Sequence, residues 1–82
     1  METKNAIEAF SALAQETRLS VFRLLVVAGS DGMPAGAIAK ELSAVPSTLS
    51  HHLALLERAG LLRSWRVQRQ IFYAADYSGI GQ

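Results

Sequence analysis

The sequence predicts a mainly α, α+β fold with about four helices followed by a β-hairpin. Before Gly60, apolar residues recur every three or four positions between clusters of glycine and proline. After Gly60 the pattern changes to alternating β-branched and aromatic residues, which favour strands. Only about three residues, Ser43 to Val45, separate the last two helices, so these helices must cross steeply. This order of elements indicates a winged helix-turn-helix in which the hairpin is the wing.

Two helices are predicted in the first third of the chain. The first, about Lys4 to Ala14, carries its apolar residues on one face. The second, Glu16 to Ala28, reads "ETRLSVFRLLVVA" and is apolar almost all round, so we expect a central helix that is buried by its neighbours. It ends at the turn cluster "GSDG", whose residues tolerate positive φ.

The third and fourth helices each have a proline at the start. The segment "MPAGAIAKELS" predicts a short third helix with Pro34 in its first turn. The fourth helix is predicted from Pro46 to Gly60, where glycine serves as the C-terminal cap. The two strands of the wing are predicted in "LLRSWRV" and "QIFYAA", on either side of a polar turn at Val67–Gln70.

Length and composition limit the classes of function. At 82 residues the chain is expected to be one domain, residues 1–82, too small to enclose a deep active site beside its core. It contains no cysteine, which excludes disulfides and thiolate metal ligands. No apolar signal core is present, and no apolar run approaches the roughly 20 residues of a membrane span. We therefore expect a soluble, cytoplasmic protein with no membrane partner.

Basic charge is concentrated towards the end of the chain. Residues 1–57 contain four bases and six acids, whereas residues 58–82 contain four arginines and one acid. A basic surface near the wing would favour binding of a polyanion. A charged face that only contacts solvent accounts for the same charge equally well.

The fourth helix divides into two faces. At about 100° per residue, Val45, Leu49, Leu53 and Leu56 fall on the side that packs on the core. The outward side is small and polar, and it suits entry into a DNA major groove, where hydroxyl and imidazole groups can bond to base edges. The outward residues that we expect to contact double-stranded DNA are Ser47, Thr48, Ser50 and His51. Arg66 and Arg69, on either side of the wing turn, can reach the sugar-phosphate backbone or the minor groove.

Metal binding and catalysis are two alternative roles for the adjacent histidines of the fourth helix. Their side chains point about 100° apart, and a helical metal pair would be spaced at i and i+4, so we expect no metal site here. No other cofactor is indicated. His52 lies near the edge of the buried face, where a structural role is the simpler interpretation. Ser47 and His51 have neither an orienting carboxylate nor a glycine-rich oxyanion loop, so an enzyme is not expected.

Three segments together resemble the ArsR/SmtB family of bacterial winged-helix repressors: "LAQETRLSVFRLL", "PSTLSHHLALLERAGLL" and the hairpin that ends in "IFYAAD". The resemblance extends from about Phe10 to Asp76. It implies a homodimeric transcriptional repressor that binds an imperfect operator palindrome and is released by an effector, often a metal ion or arsenite. It also implies that Gln68 and Arg69 lie at the wing tip.

The sequence departs from this family in three places. The thiolate pair of many members aligns with Pro34 to Gly36, which have no ligand atoms in their side chains, so we expect no metal there. The C-terminal dimerisation helix is expected to be short or absent, so a dimer must form through the first helix alone or through a different surface. We expect the first helix, with Ile7 and Phe10, to be the dimer surface. Family members commonly have glycine in the wing turn. Because a tight turn favours Gly or Asn, we expect a looser tip here.

The expected function is therefore that of a DNA-binding repressor. The alternative is a winged-helix module that binds another protein, because this fold supports several functions. The two differ in salt dependence, which is steep for a contact made by several arginines to phosphates.

Overall fold

The computed structural model describes residues 3–78, which form four helices and a three-stranded antiparallel sheet. The helices are α1 (Thr3–Leu13), α2 (Glu16–Ala28), α3 (Ala35–Leu42) and α4 (Pro46–Arg58). The strands are β1 (Met33–Pro34), β2 (Leu62–Val67) and β3 (Gln70–Ala75), in the spatial order β1-β3-β2. The predicted mainly α, winged helix-turn-helix fold is confirmed. The expectation about a C-terminal helix concerns residues outside the described range.

The core lies between α4 and the other helices, at the base of the wing. The fourth helix contributes three leucines at the spacing that places them on one side, and the second contributes Val21 and Leu25. Together with residues of α3 and β2 they make a single cluster. Its largest fully buried side chains are Leu25, Ile38, Leu49, Leu53, Leu56, Leu61 and Val21.

Gly60 turns the chain out of α4 and into the wing. The Leu61 amide donates to the Leu56 carbonyl, and the Gly60 amide donates to the Glu57 carbonyl, the paired bonds that close many helices. Gly60 takes a φ of 78°, a conformation that costs glycine least. The predicted role of this glycine at the helix end is confirmed, and β2 starts at a fixed position relative to α4.

The prediction that α2 is enclosed by its neighbours is wrong. Only Val21 and Leu25 are buried, while Val26 is exposed and Val27 has 86% of its surface exposed. A chain of this length has too few elements to surround a helix on every side, so α2 packs along one face despite its uniform hydrophobicity.

Two further predictions fail at helix starts. Met33 and Pro34 form strand β1, pairing with Tyr73 and Phe72 of β3, and α3 begins only after them. Proline can occupy this position because β1 is an edge strand, where a missing N–H removes no bond on its open side. Val45, predicted to face the core, is 63% exposed, because it is the extended N-cap of α4 and the helical repeat does not include it.

No helix within residues 3–78 combines the length and hydrophobicity that crossing a membrane requires.

Candidate nucleic-acid interface

The outward face of α4 is continuous and polar. Leu49, Leu53 and Leu56 are buried on the opposite side, so the two predicted faces of this helix are confirmed, apart from Val45. The exposed residues of the outward face are Ser47, Thr48, Ser50, His51 and Ala54. The four predicted DNA-contacting residues of this helix therefore share one solvent-facing surface, and none of them is needed to fill the core.

The first turn of α4 has free backbone donors. Its N-cap, Val45, has no side-chain oxygen and makes no side-chain capping hydrogen bond, while Pro46 at the first position has no amide hydrogen. The amides of Ser47 and Thr48 therefore have no capping side chain to receive them. Such amides at the positive end of a helix dipole bind anions, including phosphate.

The two histidines of α4 have different environments. His51 is exposed on the outward face, whereas His52 is half-buried and its Nδ1 lies 3.2 Å from Nη1 of Arg18 in α2. Burial lowers the pKa of His52 below its ordinary value of 6.5, and the charges of Arg18 and His51 lower it further. The imidazole is therefore neutral at neutral pH and accepts a hydrogen bond from arginine, so the predicted structural position of His52 is confirmed.

The wing has a tight tip, and the expectation of a looser one is wrong. Val67 pairs with Gln70, which leaves only Gln68 and Arg69 in the connection. Gln68 adopts a φ of 56°, the left-handed conformation for which glycine is the usual choice. The Nε of Arg66 donates to the Gln68 carbonyl at 2.8 Å, and this bond stabilises the turn without glycine.

Two of the three arginines of the wing lie at its tip. Arg66, Gln68 and Arg69 are all exposed there. Arg63, in contrast, donates from Nη2 to the Ser30 carbonyl at 3.1 Å and lies 4.9 Å from the centre of the Trp65 ring, so it holds the wing against the turn after α2. Of the four arginines in the basic segment, Arg66 and Arg69 are therefore the two that lie exposed at the wing tip.

The wing is also attached to α4. Ser64 in β2 donates to Glu57 in the last turn of α4 at 2.6 Å. Ser64 pairs across the sheet with Tyr73, whose pKa is raised by burial and, secondarily, by the charge of Glu57. This contact joins the first strand of the wing to the last turn of α4.

The first helix has an exposed apolar surface. Ala9 and Ala12 provide its buried side, and Ile7 and Phe10 are each 62% exposed. The residues predicted for a dimer surface are therefore available to a partner. A groove of about 340 Å³ separates this helix from α4, with Ile7 and Leu55 among its lining residues.

Within residues 3–78, no group of three or more His, Cys, Asp or Glu side chains is placed to hold a metal ion.

Comparison with known proteins identifies the family. A family model described as a helix-turn-helix domain matches residues 13–64. The uncharacterised HTH-type transcriptional regulator YbzH of Bacillus subtilis (strain 168) is 30% identical over 88 residues, covering 93% of this chain and 88% of that protein. The chain belongs to the helix-turn-helix family of transcriptional regulators.

Solved structures that are similar to this regulator include proteins described as ArsR-like or possible ArsR-family regulators. An ArsR-like transcriptional regulator from Rhodococcus sp. RHA1 has 28% identity and a TM-score of 0.79, over 94% of this chain and 70% of that one. The homodimeric winged helix-turn-helix DNA-binding domain of Mb0332 from Mycobacterium bovis, described as a possible ArsR-family regulator, has 26% identity and a TM-score of 0.80. It matches 88% of this chain and 64% of that one. The resemblance to the ArsR family is confirmed.

Sequence reasoning did not find two contacts that join α4 to neighbouring elements. One is the Ser64–Glu57 bond, which joins side chains that are unremarkable in sequence. The other is Arg18, which lies on the side of α2 that carries Val21 and Leu25. Arg18 precedes the buried residues Val21 and Leu25 by three and seven positions, so the helical repeat places it on the same side of α2. This spacing could have indicated that Arg18 binds a partner, because a charged side chain on a buried face needs one.

Proposed function

We propose that this regulator is a repressor that binds an operator palindrome as a homodimer. The outward face of α4 enters the major groove of each half-site. There Ser50 and His51 bond to base edges, while Ser47 and Thr48 meet the adjacent phosphates. At the wing tip, Arg66, Gln68 and Arg69 contact the sugar-phosphate backbone or the minor groove. The regulator acts in the cytoplasm and catalyses no reaction in this role.

The observation that carries this proposal is the surface of α4. Every residue predicted to contact DNA on this helix is exposed, small or hydrogen-bonding, and the first turn adds uncapped amides beside them. A helix end that offers free N–H groups and hydroxyls suits a phosphate backbone. The exposed arginines of the wing tip add the positive charge that DNA requires.

Selection from a pool of randomised duplexes tests the DNA-binding role. We expect an inverted repeat to be enriched, with half-sites about one helical turn apart. The binding constant for the selected duplex should fall steeply with salt. Arg69→Gln should reduce the slope of log K against log salt by about 1 per protomer, whereas Lys4→Gln, on α1, should leave the slope unchanged. Binding without sequence preference or salt dependence would favour the protein-binding alternative.

Light scattering tests the dimer. Exposed Phe10 and Ile7 on α1 suit a self-complementary apolar contact between two copies. We expect the mass of two chains at micromolar concentration, and the mass of one chain for Phe10→Glu. Val27→Glu is the matched control, since Val27 is even more exposed but lies on α2. A wild-type monomer, or a dimer unaffected by Phe10→Glu, contradicts the α1 interface.

A further inference from the structure

Arg18 lies where three helices meet. Its backbone amide donates to Gln15 Oε1 at 2.9 Å and so starts α2. Its Nε donates to the Ala12 carbonyl of α1 at 2.7 Å, and its Nη1 lies 3.2 Å from Nδ1 of His52 in α4. One side chain therefore contacts both the helix with the exposed apolar surface and the helix with the outward polar face.

The planar guanidinium suits this position for a geometric reason. It presents donors in fixed directions, so the acceptors it binds are held at a fixed separation. The Ala12 carbonyl lies in the last turn of α1, where carbonyls have no partner within the helix and attract positive charge. A lysine ammonium carries the same charge on a flexible stem and lacks the rigid fork.

The imidazole of His52 takes a defined form in this contact. Arginine has no acceptor, so Nδ1 must carry the lone pair and Nε2 the hydrogen. Within residues 3–78, the charges that act on this ring are Arg18 from α2 and His51 from its own helix, and both disfavour its protonation.

We propose that Arg18 is a positioning residue for α4. By binding the Ala12 carbonyl and His52 with one guanidinium, it fixes the orientation of the helix that carries His51 relative to α1. Because His51 is the next residue after Ser50 and precedes His52 directly, a rotation of α4 at His52 moves the whole outward face. The effect of Arg18 on DNA affinity rests on the proposed function, whereas its hydrogen bonds to α1 and α4 are a property of the protein without DNA.

Arg18→Lys tests the connection while keeping the charge. We expect its affinity for the selected duplex to be about tenfold weaker, the scale of one lost charge-assisted hydrogen bond, with an unchanged salt slope. Arg23→Lys is the matched control, because Arg23 is on the same helix and is exposed. Equal affinities of the two variants overturn the proposal, since the charge at position 18 would then suffice.

A double-mutant cycle separates positioning from general loss of stability. If Arg18 acts through His52, the affinity of Arg18→Lys combined with His52→Ala should match that of the weaker single variant. His52→Asn, which keeps an acceptor near the position of Nδ1, should restore most of the affinity. Fully additive losses, with no rescue by asparagine, overturn the proposal.

The third measurement needs no DNA. Imidazole nitrogen shifts in NMR should show His52 of the wild type as the Nε2–H tautomer, and a mixture of tautomers in Arg18→Gln. Amide hydrogen exchange in α4 should be faster in Arg18→Lys than in Arg23→Lys. If the wild type selects no duplex, the proposed function fails, but these two NMR and exchange results still test whether Arg18 joins α1 to α4. An unchanged tautomer of His52 together with unchanged amide exchange in α4 overturns the proposal for Arg18.

Discussion

The Ser64 hydroxyl donates a hydrogen bond to Oε2 of Glu57 across 2.6 Å, joining the first wing strand to the last turn of α4. The distance is typical of a hydroxyl bonded to a carboxylate. The bond lies beside the Schellman turn at Gly60, so backbone and side chain together hold the wing to the helix. The last turn of α4 and the base of the wing are therefore joined by both backbone and side-chain hydrogen bonds.

Ser64→Ala should lower the free energy of unfolding by about 0.5 kcal/mol, the low end for a single hydrogen bond because this one is exposed. Urea denaturation measures the change. Glu57→Gln is the matched control: it retains an acceptor oxygen and should lose less. If Ser64→Ala is as stable as the wild type, and binds the selected duplex equally well, the wing does not depend on this bond.

Gly32→Ala should destabilise the fold strongly, by more than about 2 kcal/mol. Gly32 has a φ of 66°, and an added Cβ would collide with the Tyr73 carbonyl oxygen and lie 2.8 Å from Cη2 of Trp65. Backbone cannot move aside as a flexible side chain can. The melting temperature and urea midpoint measure the loss.

Gly36→Ala is the matched control for this substitution. Nothing lies within 4 Å of a Cβ at Gly36, which is in the first turn of α3. Alanine there should stabilise the protein by up to about 1 kcal/mol, because glycine is a poor helix former. Similar effects at the two positions would show that the close contact at Gly32 does not limit the fold.

His52 should make the protein less stable in acid. Its pKa is lower in the folded protein than in the unfolded chain, so the unfolded chain binds the proton first as the pH falls. The contribution of the neutral imidazole is fully present above the ordinary pKa of 6.5. It is lost as the pH decreases from there through the lower pKa of the folded state. Urea titrations between pH 8 and pH 5 measure this dependence.

His52→Asn, which does not titrate, should show a shallower loss of stability over this range. His51→Ala removes the smallest of the three causes that lower the pKa of His52, so the loss of stability should be only slightly shallower than in the wild type. A slope in His52→Asn equal to that of the wild type would assign the acid sensitivity to other groups.

His51→Ala should weaken binding to the selected duplex by about 1–3 kcal/mol if the imidazole reads a base, and should leave the melting temperature nearly unchanged because the ring is exposed. Anisotropy titrations on the selected and a scrambled duplex measure the loss. His52→Ala is the contrasting variant, in which stability should fall. Equal losses on both duplexes would show that His51 contacts phosphate and does not read sequence.

The faces of α4 could be predicted because this helix packs on the core along one side only. The spacing of its leucines therefore matches the side that is buried. The second helix gave a misleading pattern, since its outer valines are as apolar as its core residues. Strand β1 has two residues, too few to show any period. The tight wing turn depends on a side-chain bond from Arg66, which local turn preferences do not include.

The residues predicted to contact DNA were chosen for their exposure and chemistry, and a helical projection predicts the exposure correctly. The contacts that join α4 to its neighbours were not predicted. Whether an arginine in α2 finds an acceptor in α4 depends on how the two helices pack, and sequence spacing does not determine that. The groups that contact solvent are thus easier to predict than those that orient them.

The strand order β1-β3-β2 gives the sheet two edges that are poorly suited to pairing with a strand of another molecule. The inner strand, β3, is paired on both sides where it meets β1. At one edge of the sheet, β1 is only two residues long and ends in a proline that cannot donate to a further strand. At the other edge, β2 carries Arg63 and Arg66, and repulsion between like charges opposes the stacking of a second copy there. Within residues 3–78, both edges of the sheet therefore oppose the addition of a further strand.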